Sequence, residues 1–234
     1  MSYGSLLFSL IVGILPPLLW LWFWLKEDRL HPEPRRLLIL TFFAGMAVVA
    51  VALVLEQATH YVFEKLGLLT ALGGFLILFF WALAEESMKY MAAKKVALSK
   101  KDFDEPIDAL IYLITAALGF AALENVIFLV DIVTGYGFSA GFMTGNLRFV
   151  GATLIHLLSS ATVGASIAFC FFHKESHRKN VIWGLFFATI LHALFNFFII
   201  RSDGNNVVQI LLPFWFLIIV LLFVFEKVKK IKKK

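Results

Sequence analysis

The stretch Ala109–Val130, with the sequence ALIYLITAALGFAALENVIFLV, decides the fold of this chain. An α-helix needs about 20 apolar residues to cross the hydrocarbon core of a bilayer, and this stretch is long enough. Only Glu124 and Asn125 interrupt its apolar core. Because a charge at the centre of a membrane helix costs roughly 2.5–3.5 kcal/mol, a carboxylate here predicts a functional site. The alternative is a packing carboxylate that is paired with a buried donor.

Six further apolar stretches surround this one, each of a length suited to a membrane span. Hydrophobic residues form 61% of the chain and charged residues 16%, whereas soluble domains are about 25% charged. The sequence therefore predicts an all-α fold: a polytopic integral membrane helical bundle of about seven transmembrane helices. We expect one transmembrane domain over residues 1–226, in contact with the lipid bilayer, and a basic cytosolic tail over residues 227–234. The six stretches are Leu6–Leu25, Leu37–Leu55, Leu66–Ala84, Phe149–Phe172, Val181–Ile200 and Val207–Phe225.

The basic residues predict the orientation of the chain in the membrane. Of the 21 lysines and arginines, 18 fall in alternate connections and in the C-terminal tail, within residues 26–36, 89–101, 174–179 and 227–234. Cytoplasmic loops carry an excess of such residues, which places the N-terminus outside and the C-terminus in the cytosol. The net charge of +5 is explained by a tail that is attracted to anionic head groups. We therefore expect no nucleic-acid partner, and the single Cys170 excludes an internal disulfide.

Polar residues also interrupt or end three other apolar stretches. Glu85 and Glu86 end the third stretch, His156 lies in the fifth, and His192 lies in the sixth with Asn196 one helical turn later. Each has a simpler explanation: the glutamates could be solvated at a helix end, with Glu85 paired to Lys89, and a lone histidine is most often a satisfied core residue. Their joint occurrence favours one shared site. Carboxylates and imidazoles shielded from bulk water suit acid/base hydrolysis.

The spacing of these residues gives the prediction more detail. His192 and Asn196 lie on one helix face, where both can donate hydrogen bonds to an oxyanion, or where the histidine can hold a water or a metal. His156 repeats this spacing with Ser160, and Gly164 follows at a point where a neighbouring helix can approach closely.

These residues resemble the PrsW-type intramembrane proteases, a family related to the type II CAAX prenyl proteases and bacteriocin-processing proteins. Glu85-Glu86-Ser87-Met88-Lys89 matches the family's EExxK motif. The segments Phe103–Tyr112 and Gly119–Asn125 are similar to its central signature, and His156 and the pair His192 and Asn196 complete the set. The resemblance covers nearly the whole chain. Two departures from the superfamily pattern stand out: Lys89 replaces a more distant arginine, and Glu124 stands where FxxxH is usual.

The resemblance implies an intramembrane endopeptidase of a prokaryotic cell membrane that cleaves single-pass membrane proteins. Its family is associated with site-1 cleavage of an anti-sigma factor in a stress response. A carboxylate of the Glu85-Glu86 pair, with Glu85 favoured, would be the general base on a water molecule, and Glu124 and His156 would orient that water. His192 and Asn196 would stabilise the oxyanion. Relatives of the CAAX type favour this metal-independent glutamate chemistry, with no cofactor.

Three alternatives remain open from the sequence. The first is a zinc protease that uses Glu85, Glu124, His156 and His192 as ligands, although the chain contains no HExxH motif. The second is a proton-coupled transporter, which intramembrane glutamates and histidines also build, although no repeated half is visible. The third is a non-catalytic scaffold, which has no need of these residues. The oligomeric state is left open.

Overall fold

The computed structural model describes residues 2–26, 32–69, 71–202 and 207–232. Arg29, Lys233 and Lys234, which belong to the predicted basic clusters, lie outside these ranges. The predicted all-α fold is confirmed for the described residues, which contain no strand. A π-helical turn, Lys94–Leu98, follows α4, and a short 3-10 turn, Lys174–Ser176, precedes α7. The helices are α1 Tyr3–Leu25, α2 Arg35–Ala47, α3 Val49–Lys65, α4 Ala71–Ala93, α5 Pro106–Val150, α6 Ala152–Phe169, α7 His177–Arg201 and α8 Val207–Val228.

Several of these helices are long and apolar enough to cross a membrane. Two of the qualifying stretches join consecutive helices: α2 with α3, and α5 with α6. The protein is an integral membrane protein, whereas the count of seven spans and the orientation of the termini stay predictions. The five qualifying stretches among the described residues are Tyr3–Leu25, Arg35–Lys65, Pro106–Phe169, His177–Arg201 and Val207–Val228.

The first part of α5 forms the centre of the bundle. Glu105 caps this helix together with Asp108, and Pro106 occupies its first turn, where the missing backbone N–H is not needed. From Pro106 to Ala122 every residue is buried, as expected for a helix that is apolar on all sides. Helices α1, α2, α4, α6 and α8 all contact α5. Glu124 therefore lies on the element around which the other helices pack.

Two helix crossings at α5 depend on glycine. A Cβ atom on Gly45 of α2 would lie 2.0 Å from the carbonyl oxygen of Ala116, and one on Gly119 of α5 would lie 1.9 Å from that of Phe42. The backbones of α2 and α5 thus touch with no side chain between them. The predicted close approach at Gly164 is also found, since a Cβ there would lie 2.9 Å from the carbonyl oxygen of Ala109. These contacts fix α2 and α6 closely against α5.

Helix α5 is broken at Gly137, which lies between the predicted spans Ala109–Val130 and Phe149–Phe172. The backbone there has φ 84° and ψ 176°, a conformation that favours glycine. Residues 138–150 then turn back along the helix, because a Cβ on Gly141 would contact Val133 and one on Gly145 would contact Leu129. This fold-back segment is helical, and it carries Arg148 to the level of Glu124.

Candidate active site

The polar residues predicted from separate apolar stretches meet in the interior of the bundle. Helix α4 contributes Glu85 and Glu86, α5 contributes Glu124, α6 contributes His156 and α7 contributes His192. Their helices are held together by direct packing of α4 on α7 and of α6 on α5 and α7.

The two glutamates of α4 are not solvated at a helix end. Glu85, Glu86 and Lys89 are 5%, 1% and 0% exposed, so that alternative explanation is wrong. Helix α4 continues to Ala93 and into the π-helical turn, which places these residues well inside the folded chain.

Glu86 is the most fully bonded carboxylate of the site. Its Oε1 atom lies 2.6 Å from Lys89 Nζ, 2.7 Å from Ser159 Oγ and 2.8 Å from His192 Nδ1. Its Oε2 atom accepts a hydrogen bond of 2.9 Å from Ser160 Oγ. Because four groups on three helices converge on one carboxylate, Glu86 ties α4 to α6 and α7.

Glu85 has longer contacts with the same region. Its Oε2 atom lies 3.4 Å from Lys89 Nζ, 3.5 Å from His156 Nδ1 and 3.9 Å from His192 Nε2. Charge-assisted hydrogen bonds of this kind are usually about 2.7–2.9 Å long. Glu85 therefore faces three nitrogen atoms without being tightly bonded to any of them.

Each histidine contacts a carboxylate through the ring nitrogen that points away from Glu85. His156 Nε2 lies 2.9 Å from Glu124 Oε2, and His192 Nδ1 lies 2.8 Å from Glu86 Oε1. Each ring therefore presents its other nitrogen to Glu85. The two rings meet edge to face, with their centroids 5.0 Å apart. A carboxylate behind a histidine is the usual arrangement around metal-binding histidines, where it fixes the ring and its tautomer.

This donor set is suited to a metal ion. The ligand atoms of Glu85, His156 and His192 all lie within 4.8 Å of one another, and all three residues are buried. A carboxylate oxygen and two imidazole nitrogens are ligands that zinc accepts, with bonds of about 2.0–2.2 Å. The zinc protease considered from the sequence also uses Glu124 as a ligand. In the structure Glu124 instead bonds to the ring nitrogen of His156 that faces away from Glu85.

Phe120 covers one side of the cluster. Its ring centroid lies 4.7 Å from Lys89 Nζ and 5.5 Å from that of His156. An aromatic face attracts a buried cation, so this phenylalanine helps to hold Lys89 beside the glutamates. Phe120 is the first residue of the FxxxE motif that ends at Glu124.

Arg148 completes the edge of the site, where the Glu124 side chain is 30% exposed. Its Nη2 atom lies 2.6 Å from Glu124 Oε2, and its Nε atom donates to the amide oxygen of Asn125. Asn125 in turn donates a hydrogen bond of 3.1 Å to Thr153. A chain of polar contacts thus runs from Arg148 through Glu124 to His156.

A comparison with known families shows the family of this chain. Residues 33–225 match the family described as "PrsW family intramembrane metalloprotease". The chain belongs to the PrsW family. It is similar to three bacterial proteins named Protease PrsW, and no solved structure matches it. These relatives come from Oceanobacillus iheyensis (27% identical over 210 residues, 89% of this chain and 90% of the relative), Bacillus subtilis (26% over 210 residues, 89% of each) and Clostridioides difficile (27% over 192 residues, 80% and 77%).

The resemblance stated from the motifs is therefore confirmed: the chain is a prokaryotic integral membrane protein of a protease family. The PrsW motifs converge in space, since EExxK supplies Glu85, Glu86 and Lys89, and the following motifs supply Glu124, His156 and His192. Asn196 lies one turn beyond His192 on α7 and is half-buried. Its side chain forms no hydrogen bond within the ranges that the structure describes.

Three residues at or near the candidate site were not predicted from the sequence. Ser159 was not singled out, because a serine in an apolar helix usually bonds to its own backbone. Arg148 lies between the fourth and fifth predicted spans, where the sequence has no signal for a fold-back segment beyond its glycines. Glu56 directly follows the predicted second span and was not considered. It lies on α3, close enough to interact electrostatically with Glu85 and Glu124.

Proposed function

We propose that this protein is an intramembrane endopeptidase that hydrolyses peptide bonds of single-pass membrane proteins at the Glu85, His156 and His192 cluster. One observation carries the proposal: two histidines from different helices, each held by a carboxylate, turn their remaining nitrogens toward a loosely bonded glutamate. Membership of the PrsW family supports the reaction class. The substrate type that we propose is a single-pass anti-sigma factor, as the motif resemblance implies.

The tautomers of the two histidines favour the metal-dependent form of this chemistry. An ionised carboxylate can only accept hydrogen bonds, so the ring nitrogens beside Glu86 and Glu124 carry the protons. In the neutral form of each ring, the lone pair then lies on His156 Nδ1 and on His192 Nε2. Glu85, His156 and His192 would hold a zinc ion, which supplies Lewis acidity for the water and the peptide carbonyl when bound.

The other catalytic roles belong to side chains of this protein. In the form without a metal, where Glu85 is not a ligand, this least bonded carboxylate takes a proton from the water that attacks the carbonyl carbon, and returns it to the amine nitrogen as the C–N bond breaks. Glu86 and Glu124 hold the two imidazoles in position. A neutral His192 that donates to Glu86 has no second N–H group for the oxyanion role predicted for it. We therefore assign the oxyanion to Asn196, whose amide is uncommitted.

A specific contact favours the metal-independent form as a second candidate. Lys89 Nζ lies 3.0 Å from His156 Nδ1, and therefore occupies the lone pair that a metal would need. In that form the ammonium, held by Glu86 at 2.6 Å, offsets the charge of Glu86, and Glu85 activates the water without a metal. Binding of zinc would require Lys89 to move away from His156 while it keeps its contact with Glu86.

The test is cleavage by the purified full chain in nanodiscs, with labelled single-pass transmembrane peptides as substrates. We expect cleavage to stop in chelator, to return with zinc, and to accompany zinc retained by the protein in elemental analysis. Cleavage that persists in a fully demetallated protein would select the metal-independent form. The proposed function fails if no peptide is cleaved under either condition while the protein remains folded.

A further inference from the structure

A basic groove lies at the end of α4, away from the Glu/His cluster. It encloses about 830 Å³ between α2 and the π-helical turn that follows α4. Its apolar wall includes Leu40 and Phe43 of α2, and Phe43 is 60% exposed. Its charged rim consists of Arg36, Lys95, Lys100 and Asp102.

We propose that this groove binds one anionic glycerophospholipid, with the phosphate between Arg36, Lys95 and Lys100 and an acyl chain along Leu40 and Phe43. Three cations against one carboxylate leave an excess of positive charge. None of the three cations forms an ion pair with any residue in the described ranges. Their charges are thus available to a phosphate.

The start of α2 adds to the positive potential of the rim. Helix α2 begins at Arg35, and Pro34 at its N-cap provides no side-chain hydrogen bond to the first turn. Pro34 itself lines the groove. Because the N-terminal end of a helix carries partial positive charge, a phosphate placed here is favoured by the helix as well as by the cations.

The order of the residues along α2 favours a lipid over a soluble phosphate. Arg36 lies in the first turn of α2, whereas Leu40, Phe43 and Ala47 line the groove over the following turns. A charged end that continues into an apolar wall matches a head group and its acyl chain. Basic pockets between membrane helices on the cytoplasmic side are known to bind anionic head groups, and the predicted orientation places this rim on that side.

A bound lipid would connect two parts of the protein that matter for the active site. The groove wall on one side is the turn that directly follows α4, the helix of Glu85 and Glu86. The other wall is α2, which crosses α5 at Gly45 and Gly119. The proposal does not depend on proteolysis, because the lipid contacts none of the Glu/His residues.

The experiment titrates the full chain in neutral detergent with phosphatidylglycerol, and measures retained lipid by native mass spectrometry and the unfolding temperature by tryptophan fluorescence. The groove variant combines Arg36→Gln, Lys95→Gln and Lys100→Gln. The control variant combines Arg35→Gln, Lys94→Gln and Lys101→Gln, the immediate neighbours, which do not line this groove. Both variants lose the same charge. A single Lys95→Gln variant, with Lys95→Arg beside it, replaces the triple variant if that variant does not fold.

We expect phosphatidylglycerol to raise the unfolding temperature of the wild type and the control, and the groove variant to lose at least about tenfold in apparent affinity. Lys95→Arg should retain binding. Equal losses in both triple variants would overturn the proposal, because they indicate diffuse surface charge. The proposal is also overturned if phosphatidylcholine stabilises the wild type as much as phosphatidylglycerol does, or if glycerol phosphate displaces the lipid completely.

Discussion

Glu85 and Glu86 are the same residue at adjacent positions, yet the fold gives them opposite surroundings. Glu86 accepts hydrogen bonds or ion pairs from Lys89, Ser159, Ser160 and His192, all between 2.6 and 2.9 Å. Glu85 has no contact with a site nitrogen shorter than 3.4 Å. A carboxylate that is fully bonded stabilises the structure, whereas one with free lone pairs can accept a proton or a metal.

The difference follows from helix geometry. Consecutive residues of an α-helix point about 100° apart, so the two side chains cannot aim in the same direction. Glu86 reaches the seam between α6 and α7, where serine hydroxyls and an imidazole surround it. Glu85 reaches the space in front of the two histidine rings. We therefore infer that Glu85, the first glutamate of the PrsW motif, takes part in the reaction, and that Glu86, the second, stabilises the structure.

The largest expected effect is on catalysis by the Glu85→Gln variant. Glutamine keeps the size of the side chain but cannot take a proton, and loss of a general base costs about 10²–10⁴ in rate. The unfolding temperature should stay close to that of the wild type, because Glu85 makes only long contacts. Cleavage of the labelled peptide in nanodiscs gives the rate. Full activity of this variant would refute the assignment.

Glu86→Gln should instead reduce the stability of the folded chain. Removal of the shorter partner from a buried ion pair leaves the Lys89 ammonium with only its 3.4 Å contact to Glu85, at a cost of up to about 3–5 kcal/mol. The measurement is unfolding by denaturant or heat in detergent, with Glu85→Gln as the matched control. The double variant Glu86→Gln with Lys89→Met should recover much of the loss. If Glu85→Gln destabilises the protein more than Glu86→Gln does, the comparison between the two glutamates is reversed.

Glu124→Gln should weaken metal binding with a smaller effect on folding. Loss of a carboxylate behind a metal-binding histidine typically costs about 10–100-fold in affinity. Competition with a coloured zinc chelator measures this affinity in the detergent-solubilised protein. Asp131→Asn is the control, because Asp131 is an exposed acid on the same helix. Equal zinc affinity of Glu124→Gln and wild type would separate Glu124 from the metal-binding function.

The smallest expected effect is that of Arg148→Gln. Its bonds to Glu124 and Asn125 lie at the partly exposed edge of the site, so their loss should cost about 1–2 kcal/mol of stability. Arg201→Gln is the control, because the Arg201 guanidinium lies over the ring of Phe197 and away from the site. A double-mutant cycle with Glu124→Gln should show coupling between the two residues. Additive effects would contradict the chain of contacts from Arg148 to His156.

Much of the site was predictable because each of its main residues violates the apolar pattern of a membrane helix. Glu124, His156 and His192 interrupt long apolar runs, and the cost of burying them indicates a shared purpose. The residues that the prediction missed do not violate a pattern. Ser159 is tolerated in any helix, and Arg148 and Glu56 fall just outside the apolar stretches. Their roles depend on contacts with residues far away in the sequence.

The sequence by itself determined the helical membrane fold and the set of acidic and imidazole residues, because hydrophobic length and the cost of intramembrane charge are local properties. Only the tertiary structure decided which glutamate has its oxygens fully occupied by hydrogen bonds, and which ring nitrogen of each histidine faces Glu85. It also decided that residues 138–150 fold back and bring Arg148 to Glu124. These features depend on how α4, α5, α6 and α7 pack together. A helix pattern fixes the face on which a side chain lies, but not the partner that it meets there.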